Sequence, residues 1–302
     1  ALSPLYIRYS GTTANSVYFH YSDSPPPEKV PEGYTVMLTR QKWKDALRFA
    51  KTVNAEVLTS FTNSEGVRDA NHAWTPKMAR EWLSYTRSIG GEIYAAELFN
   101  EPNAPEPPRL PKGFTAPEYD RDYAAFNAFM KSTAPKIRIA GPGNAMLGIG
   151  TELGTPPENF AAASPQPKWD IVSYHFYPAL AQRCAPANSP FGMSADKALS
   201  EEFLARPDIQ LSRFKALRDT YAPGAPIWLT ETGGAACGGL VWQPTFLDMF
   251  LYADTHARLA RGGLDAIFTH ALISGSNGVI DEKTLEPNAS YWSAVLWRKL
   301  MS

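Results

Sequence analysis

Apolar positions along this chain recur in two alternating patterns. Short, nearly continuous apolar runs read as buried strands at residues 4–12, 56–61, 91–96, 136–141, 169–177, 226–232 and 264–273. Between them the spacing relaxes to the helical period, over about 40–53, 75–89, 119–132, 157–163, 197–221, 246–261 and 291–300. Thr39 is placed to cap the first of these helices. Thr75-Pro76 opens the second, Met78, Trp82, Tyr85 and Ile89 form its apolar face, and Gly90-Gly91 ends it. Residues 20–33, with Pro25-Pro26-Pro27 and Pro31, and residues 102–117 are proline-rich loops that no helix can cross.

Strands alternating with helices predict parallel strands and right-handed crossovers. The expected fold is α/β, a (β/α)8 TIM barrel occupying residues 1–302 as a single catalytic-type domain. Seven strands can be counted rather than eight, so one βα unit is expected to be missing. Thr12, Asn63, Asn100, Glu101, Asn144, His175, Tyr177, Glu231 and Ser274 fall at strand C-terminal ends. That rim is where such barrels assemble active sites, and where an open α/β sheet binds ligands too.

Composition narrows the classes. Of 302 residues 44% are hydrophobic, ample for a core. Lys plus Arg number 29 against 30 for Asp plus Glu, which argues against nucleic acid as a bulk partner. No apolar run approaches the ~20 residues of a membrane-spanning helix. The N-terminus reads directly as a strand, so a mature or trimmed chain without a signal peptide is expected. The two cysteines and five scattered histidines lack metal-ligand spacing, and no cofactor or metal is expected. The glycine-rich stretch 232–239 lacks a P-loop lysine and is no nucleotide site, although its amides could bind a carboxylate or ring hydroxyl.

The chemistry gathers at Glu97-Leu98-Phe99-Asn100-Glu101-Pro102-Asn103, after an apolar strand. A glutamate there can serve as general acid beside a glycosidic oxygen, an asparagine can hold the neighbouring hydroxyl, and the proline stops the strand. Glu231 ends another strand and would face Glu101 across the barrel mouth. Glycoside hydrolysis needs such a pair: a separation of about 5 Å permits nucleophilic attack with retention, and ~6.5–9.5 Å admits a water and inverts. Strand alternation puts His175 and Tyr177 on one face and Tyr174 and Phe176 on the other. A backbone-bonded core histidine is the competing reading of His175, and plain core is the stronger reading of Trp228.

These residues resemble the heparanase family, glycoside hydrolase family 79, within the clan of retaining (β/α)8 glycosidases. The resemblance runs nearly end to end. It rests on Tyr6-Ile7-Arg8-Tyr9-Ser10-Gly11-Thr12, the Asn100-Glu101 motif, Tyr174-His175-Phe176-Tyr177, residues 228–235 with Gly238 and Gly239, Val279-Ile280-Asp281, and residues 287–292. It implies Glu101 as acid/base, Glu231 as nucleophile, Asn100 on the 2-hydroxyl and Tyr177 steadying the nucleophile. Thr12 would lie near the substrate, and the amides around Cys237 and Gly238 would receive a uronic acid carboxylate. The departure is Asn277, where family members often carry a tyrosine for that carboxylate. The family also implies a first βα unit and an accessory β-sandwich that this chain lacks, so a separate N-terminal segment could complete the barrel. Cys184 and Cys237 follow successive strands, and a disulfide between them is expected, with two free thiols as the alternative. If formed, it implies an oxidising compartment, secreted or periplasmic.

The implied activity is a retaining β-glycosidase for uronic-acid-containing oligo- or polysaccharides, endo- or exo-acting. A neutral-sugar β-glycosidase and a non-catalytic carbohydrate-binding barrel remain alternatives. Arg109, Lys112, Arg121 and Arg183 would make a basic cleft for a sulfated polymer, or else be ordinary solvated charges.

Overall fold

The computed structural model describes residues 2–104, 110–148, 151–152, 154–185, 189–243, 245–275 and 277–301. Seven parallel strands form one sheet: β1 (Leu5–Tyr9), β2 (Ala55–Ser60), β3 (Ala95–Glu97), β4 (Arg138–Leu147), β5 (Ile171–Tyr177), β6 (Ile227–Thr232) and β7 (Ala266–Thr269). Spatial order follows chain order, as right-handed βα units require. The sheet curls into a nearly closed barrel. Its two edge strands are not hydrogen-bonded, but the Tyr6 ring of β1 lies 5.9 Å from Phe268 of β7 and 4.7 Å from Trp228 of β6.

The helices are α1 (Arg40–Thr52), α2 (Lys77–Ser88), α3 (Ala116–Thr133), α4 (Pro157–Ala161), α5 (Glu201–Leu204), α6 (Arg206–Tyr221), α7 (Phe246–Arg261) and α8 (Ala289–Leu300). Local chemistry explains their starts. Thr39 Oγ1 accepts the Lys42 amide and caps α1, which buries Trp43, Leu47 and Ala50 along one stripe. Thr115 and Glu118 form a capping box on α3. Thr75, expected as the cap of α2, instead donates its hydroxyl to the Val67 carbonyl at 2.8 Å, and Pro76 stands at the N-cap. The expected helix over 197–221 is two helices, because Pro207 favours a fresh start in the first turn of α6.

Two stretches depart from the strand pattern. β4 runs on to Leu147 through Gly141-Pro142-Gly143, with the register against β5 shifting between Pro142 and Asn144 to absorb the missing proline N–H. β7 ends at Thr269, since the chain then turns so that Ala271 N–H donates to Asn277 O at 3.1 Å; Ile273–Ser274 pairs instead with Ile280–Asp281. A small parallel pair, Val17–His20 with Val36–Thr39, flanks the 20–33 loop.

Leu58, Ala95, Ala140, Ile171, Trp228 and Phe268, one from each of β2 to β7, plug the barrel interior below the rim. The larger apolar layer lies between sheet and helices; the Tyr174 ring, for example, stacks on Phe214 of α6 at 4.3 Å. With the lower interior filled, polar groups collect at the C-terminal rim. No helix among the described residues is long and apolar enough to cross a membrane.

Candidate active site

β3 delivers Glu97 at its end and then Asn100 and Glu101 in the following turn. Asn15, on the short helical turn Thr12–Ser16 after β1, clamps the Asn100 peptide from both sides. Its Nδ2 donates to Asn100 O at 2.9 Å, and its Oδ1 accepts Asn100 N–H at 2.7 Å. Glu101 has φ of 51°, in the left-handed region that non-glycine residues seldom occupy. The chain leaves the strand there, and the Glu101 carboxylate comes to rest with Oε1 2.9 Å from His175 Nδ1.

β6 presents Glu231 from the opposite wall. Its Oε1 accepts the Tyr177 hydroxyl at 2.7 Å, its Oε2 accepts Arg8 Nη1 at 2.8 Å, and His175 Nδ1 stands 3.9 Å from Oε2. One carboxylate oxygen of each glutamate and the His175 nitrogen lie within 4.8 Å of one another. His175 and Tyr177 do share a face of β5, and that face is the barrel mouth.

Electrostatics distinguish the groups. Burial alone would raise the Glu231 pKa, but the positive fields of His175, Arg8 and His270 and the Tyr177 hydrogen bond outweigh it and hold the carboxyl at about 2. Burial, then the Glu231 charge, pushes the Tyr177 phenol well above its ordinary value, so it stays a donor. Burial works against the Arg8 charge, but Glu97 and Glu231 reverse that effect and raise its pKa. Glu101, His175 and Glu231 offer three ligand atoms of the kind a cation takes. A cation would have to share Glu231 with the Arg8 guanidinium, so the set suits hydrogen-bonded acid–base chemistry better than a metal centre.

The structure thus brings Asn100, Glu101, His175, Tyr177 and Glu231 together. Thr12 opens its turn half-buried, and the residue of that turn that reaches the site is Asn15. Cys237, Gly238 and Asn277 sit on one loop cluster. Cys184 and Cys237 are joined as a disulfide, with Cα atoms 6.4 Å apart. Cys237, Gly238 and Gly239 all have positive φ, of 67°, 93° and 84°. A Cβ on Gly239 would meet Asn277 Cβ at 3.0 Å, so the glycine loop rests directly on Asn277. Asn277 Oδ1 accepts the Ser274 hydroxyl at 3.0 Å, and its Nδ2 lies 3.1 Å from His270 Nδ1.

Of the described members of the basic set, Arg183 meets this cluster and Lys112 and Arg121 do not. Arg183 Nε donates to the Cys237 carbonyl, and its guanidinium lies against Gly238. Arg121 bonds Asp122 and the His72 carbonyl, which spends it on structure. Lys112 is exposed, and Arg109 lies outside the described residues.

Sequence reasoning missed Arg8, Glu97 and Asn15 as members of the site. The signal was present: Arg8 and Glu97 are charges inside strands otherwise fit for burial, and a buried charge requires a partner. Trp228 is core, stacked on Tyr94 at 5.8 Å.

No family model matches the chain. Its curated sequence relatives are heparanase-like proteins and a hyaluronoglucuronidase. It is 23% identical over 319 residues to heparanase-like protein 2 of Arabidopsis thaliana, covering 100% of this chain and 56% of that protein. It is 23% identical over 320 residues to the hyaluronoglucuronidase of Hirudo nipponia, covering 96% of this chain and 61% of that protein. The chain therefore spans a little over half the length of these relatives. Among solved structures it resembles the α-L-arabinofuranosidase of Thermotoga maritima, with a TM-score of 0.66 at 17% identity, over 99% of this chain and 61% of that one. That likeness establishes the barrel fold.

Proposed function

We propose that residues 1–302 form the catalytic barrel of a retaining β-glycoside hydrolase acting on uronic-acid-containing glycans, either a heparanase-like endo-β-glucuronidase or an exo-β-glucuronidase. The observation that carries this reading is the facing pair Glu101 and Glu231, with carboxylate oxygens inside 4.8 Å. That approach of the nearest oxygens suits the closer, direct-attack geometry better than the wider gap in which an inverting enzyme seats a water.

Glu231, held ionised by Arg8 and His175, attacks the anomeric carbon while Glu101 gives a proton to the departing glycosidic oxygen. The carbon–oxygen bond breaks, and a covalent glycosyl ester forms on Glu231. Glu101, now a carboxylate, takes a proton from water, whose oxygen attacks the anomeric carbon and releases Glu231. Tyr177 keeps Oε1 of the nucleophile in register. The Asn100 Nδ2, buried and without a partner, is available to the 2-hydroxyl. The Gly238–Gly239 loop, with Arg183 against it and Asn277 beneath it, suits a sugar carboxylate, which favours a uronic acid over a neutral sugar.

A further βα unit is the expected partner at the seam between β1 and β7. The Cys184–Cys237 disulfide supports an oxidising compartment, secreted or periplasmic.

The test is hydrolysis of a chromogenic β-glucuronide and of heparan sulfate oligosaccharides by the wild type and by Glu231→Ala, with the anomer of the first product read by NMR. Retained configuration, together with a mass increment on Glu231 after a 2-fluoro-β-glucuronide, is expected. Inversion, or activity that survives Glu231→Ala, overturns the reading.

A further inference from the structure

Glu97 lies one turn of chain before the acid/base, and the double displacement leaves it without a task. It is 2% exposed, deep in the barrel mouth. Its Oε2 receives two donors from one guanidinium, Arg8 Nε at 3.3 Å and Nη2 at 3.0 Å, while its Oε1 is buried with no partner among the described residues. The same Arg8 reaches two other groups. Nη1 donates to Glu231 Oε2 at 2.8 Å, and Nη2 donates to Asn100 Oδ1 at 2.7 Å. Three residues, from β3, the turn after it and β6, are thus tied to three nitrogens of one planar fork whose side chain is 7% exposed.

We infer that Glu97 is a positioning residue that fixes the rotation of the Arg8 plane, and through it both the nucleophile Glu231 and the amide of Asn100; this rests on the glycosidase reading above.

The geometry supplies the reason. A guanidinium is rigid and carries no acceptor, so whatever faces it must present oxygen. With Arg8 held by Glu97, Asn100 is obliged to turn Oδ1 toward Nη2, which leaves Nδ2, without a protein partner, as its free donor. The orientation of the Asn100 amide is therefore set by a residue three positions earlier, acting through β1. The second consequence is electrostatic. A lone buried Arg8 would collapse onto Glu231 as a two-pronged pair, since burying a cation with a single carboxylate favours the tightest contact. With Glu97 on its other edge, Arg8 shares its charge between two carboxylates and gives Glu231 one hydrogen bond. Glu231 Oε1 remains bound, among the described residues, only to Tyr177. The nucleophile is kept ionised without being sequestered.

The experiment compares wild type, Glu97→Gln, Glu97→Ala, Arg8→Lys and the Glu97→Ala/Arg8→Lys double variant. Substrates are a chromogenic β-glycoside that the wild type cleaves and its analogue lacking the 2-hydroxyl; active sites are counted by burst titration. The ratio of kcat/KM for the two substrates reads the Asn100 amide, and a merely structural loss would lower the count of sites without moving that ratio. Glu97→Ala is expected to lower kcat by about a hundredfold, the scale of a small misplacement at a reacting centre, with KM little changed and the ratio falling toward one. Glu97→Gln keeps an acceptor oxygen and is expected to retain most of the discrimination. The double variant is expected to be no worse than Arg8→Lys alone, because the two residues act in series. Unaltered discrimination in Glu97→Ala, or losses that multiply in the double variant, would overturn the inference even where Glu231 is the proven nucleophile. Conversely, a wild type whose activity ignores Glu231 removes the glycosidase reading itself.

Discussion

The Tyr177 hydroxyl donates to Glu231 Oε1 at 2.7 Å, bridging the ends of β5 and β6 across 54 residues of chain. Tyr177 is buried, and a Cβ added at Gly233 just past Glu231 would come within 3.3 Å of its ring, so the ring is held firmly enough to set where the carboxylate sits. Tyr177→Phe keeps that packing and deletes the hydroxyl. The expected result is a ~10- to 100-fold fall in kcat, since a hydrogen bond to a buried charge contributes about 1.5–3 kcal/mol, with thermal stability near wild type. Steady-state kinetics beside a melting curve checks it. Unchanged kcat would mean that Arg8 alone positions the nucleophile.

Arg8 and His175 hold the Glu231 carboxyl at about 2, well below its ordinary range. In the proposed mechanism the ionised form of Glu231 is the reactive one, so activity is expected to persist as the medium is acidified and to be lost only as pH falls toward that value. Removing the Arg8 charge raises the pKa. In Arg8→Met the acidic limb of kcat/KM against pH is therefore expected to move upward, by on the order of one pH unit or more. A limb that stays in place would show that His175 supplies the dominant field.

Much of this was legible from residue order, for identifiable reasons. Buried parallel strands make near-continuous apolar runs, so all seven strands were found, β2, β5 and β6 within two residues of their observed limits, and the polar residues at their ends marked the rim. Alternation separated Tyr177 from Tyr174. Context decided the rest. The 197–221 stretch reads as one helix because Pro207 is equally at home in a first turn or after a break. β4 passes through Gly141-Pro142-Gly143, since a register shift relieves what proline forbids. Arg8 escaped because its partners, Glu97 and Glu231, lie 89 and 223 positions away, and no local pattern encodes such a pairing.

The Cys184–Cys237 disulfide closes a loop of 53 residues that carries helices α5 and α6 and strand β6. Chain entropy gives such a closure about 4 kcal/mol of stabilisation. Cys184→Ser/Cys237→Ser is expected to lower the melting temperature. It should raise KM more than it lowers kcat, because the bond anchors the turn next to Gly238, whereas Glu231 sits on β6 and Glu101 in the turn that ends β3. A kcat loss at constant KM would place the loop in chemistry instead of binding.

His256 of α7 is fully buried, and burial drops its pKa to about 4, opposed only by the hydrogen bond with the Tyr252 carbonyl. Its folded value lies below the ordinary 6.5 of an unfolded histidine. Between those values the unfolded chain binds more protons, so stability is intact above about pH 6.5 and declines as pH falls toward 4. Melting curves at pH 7 and pH 5 should therefore separate by several degrees for the wild type. His256→Gln, which cannot charge, should narrow the separation. An equal separation in both proteins would assign the acid sensitivity to other groups.

The seam between β1 and β7 holds a cavity of about 720 Å³, lined by Leu5, Ile7, Phe49, Ile267, Leu272 and Ile273 and reaching Arg8 and Glu231. Leu272 and Ile273 are 40% and 51% exposed, and α8 adds Trp292, Leu296 and Leu300 to the exposed apolar surface. Apolar surface of this extent beside an unpaired strand edge calls for a cover. A further βα unit, from sequence outside residues 1–302 or from a separate chain, would supply it; seating its strand requires the seam, where the Tyr6 ring already meets Phe268 at 5.9 Å, to widen. Residues 1–302 alone are expected to bind a hydrophobic dye in native buffer. Supplying the unit should quench that signal, raise the melting temperature and increase kcat, because β1 carries Arg8 and an unsupported edge leaves the nucleophile's partner free to drift. A dye-silent, fully active preparation with an intact mass of 33.3 kDa would show that the seven strands suffice.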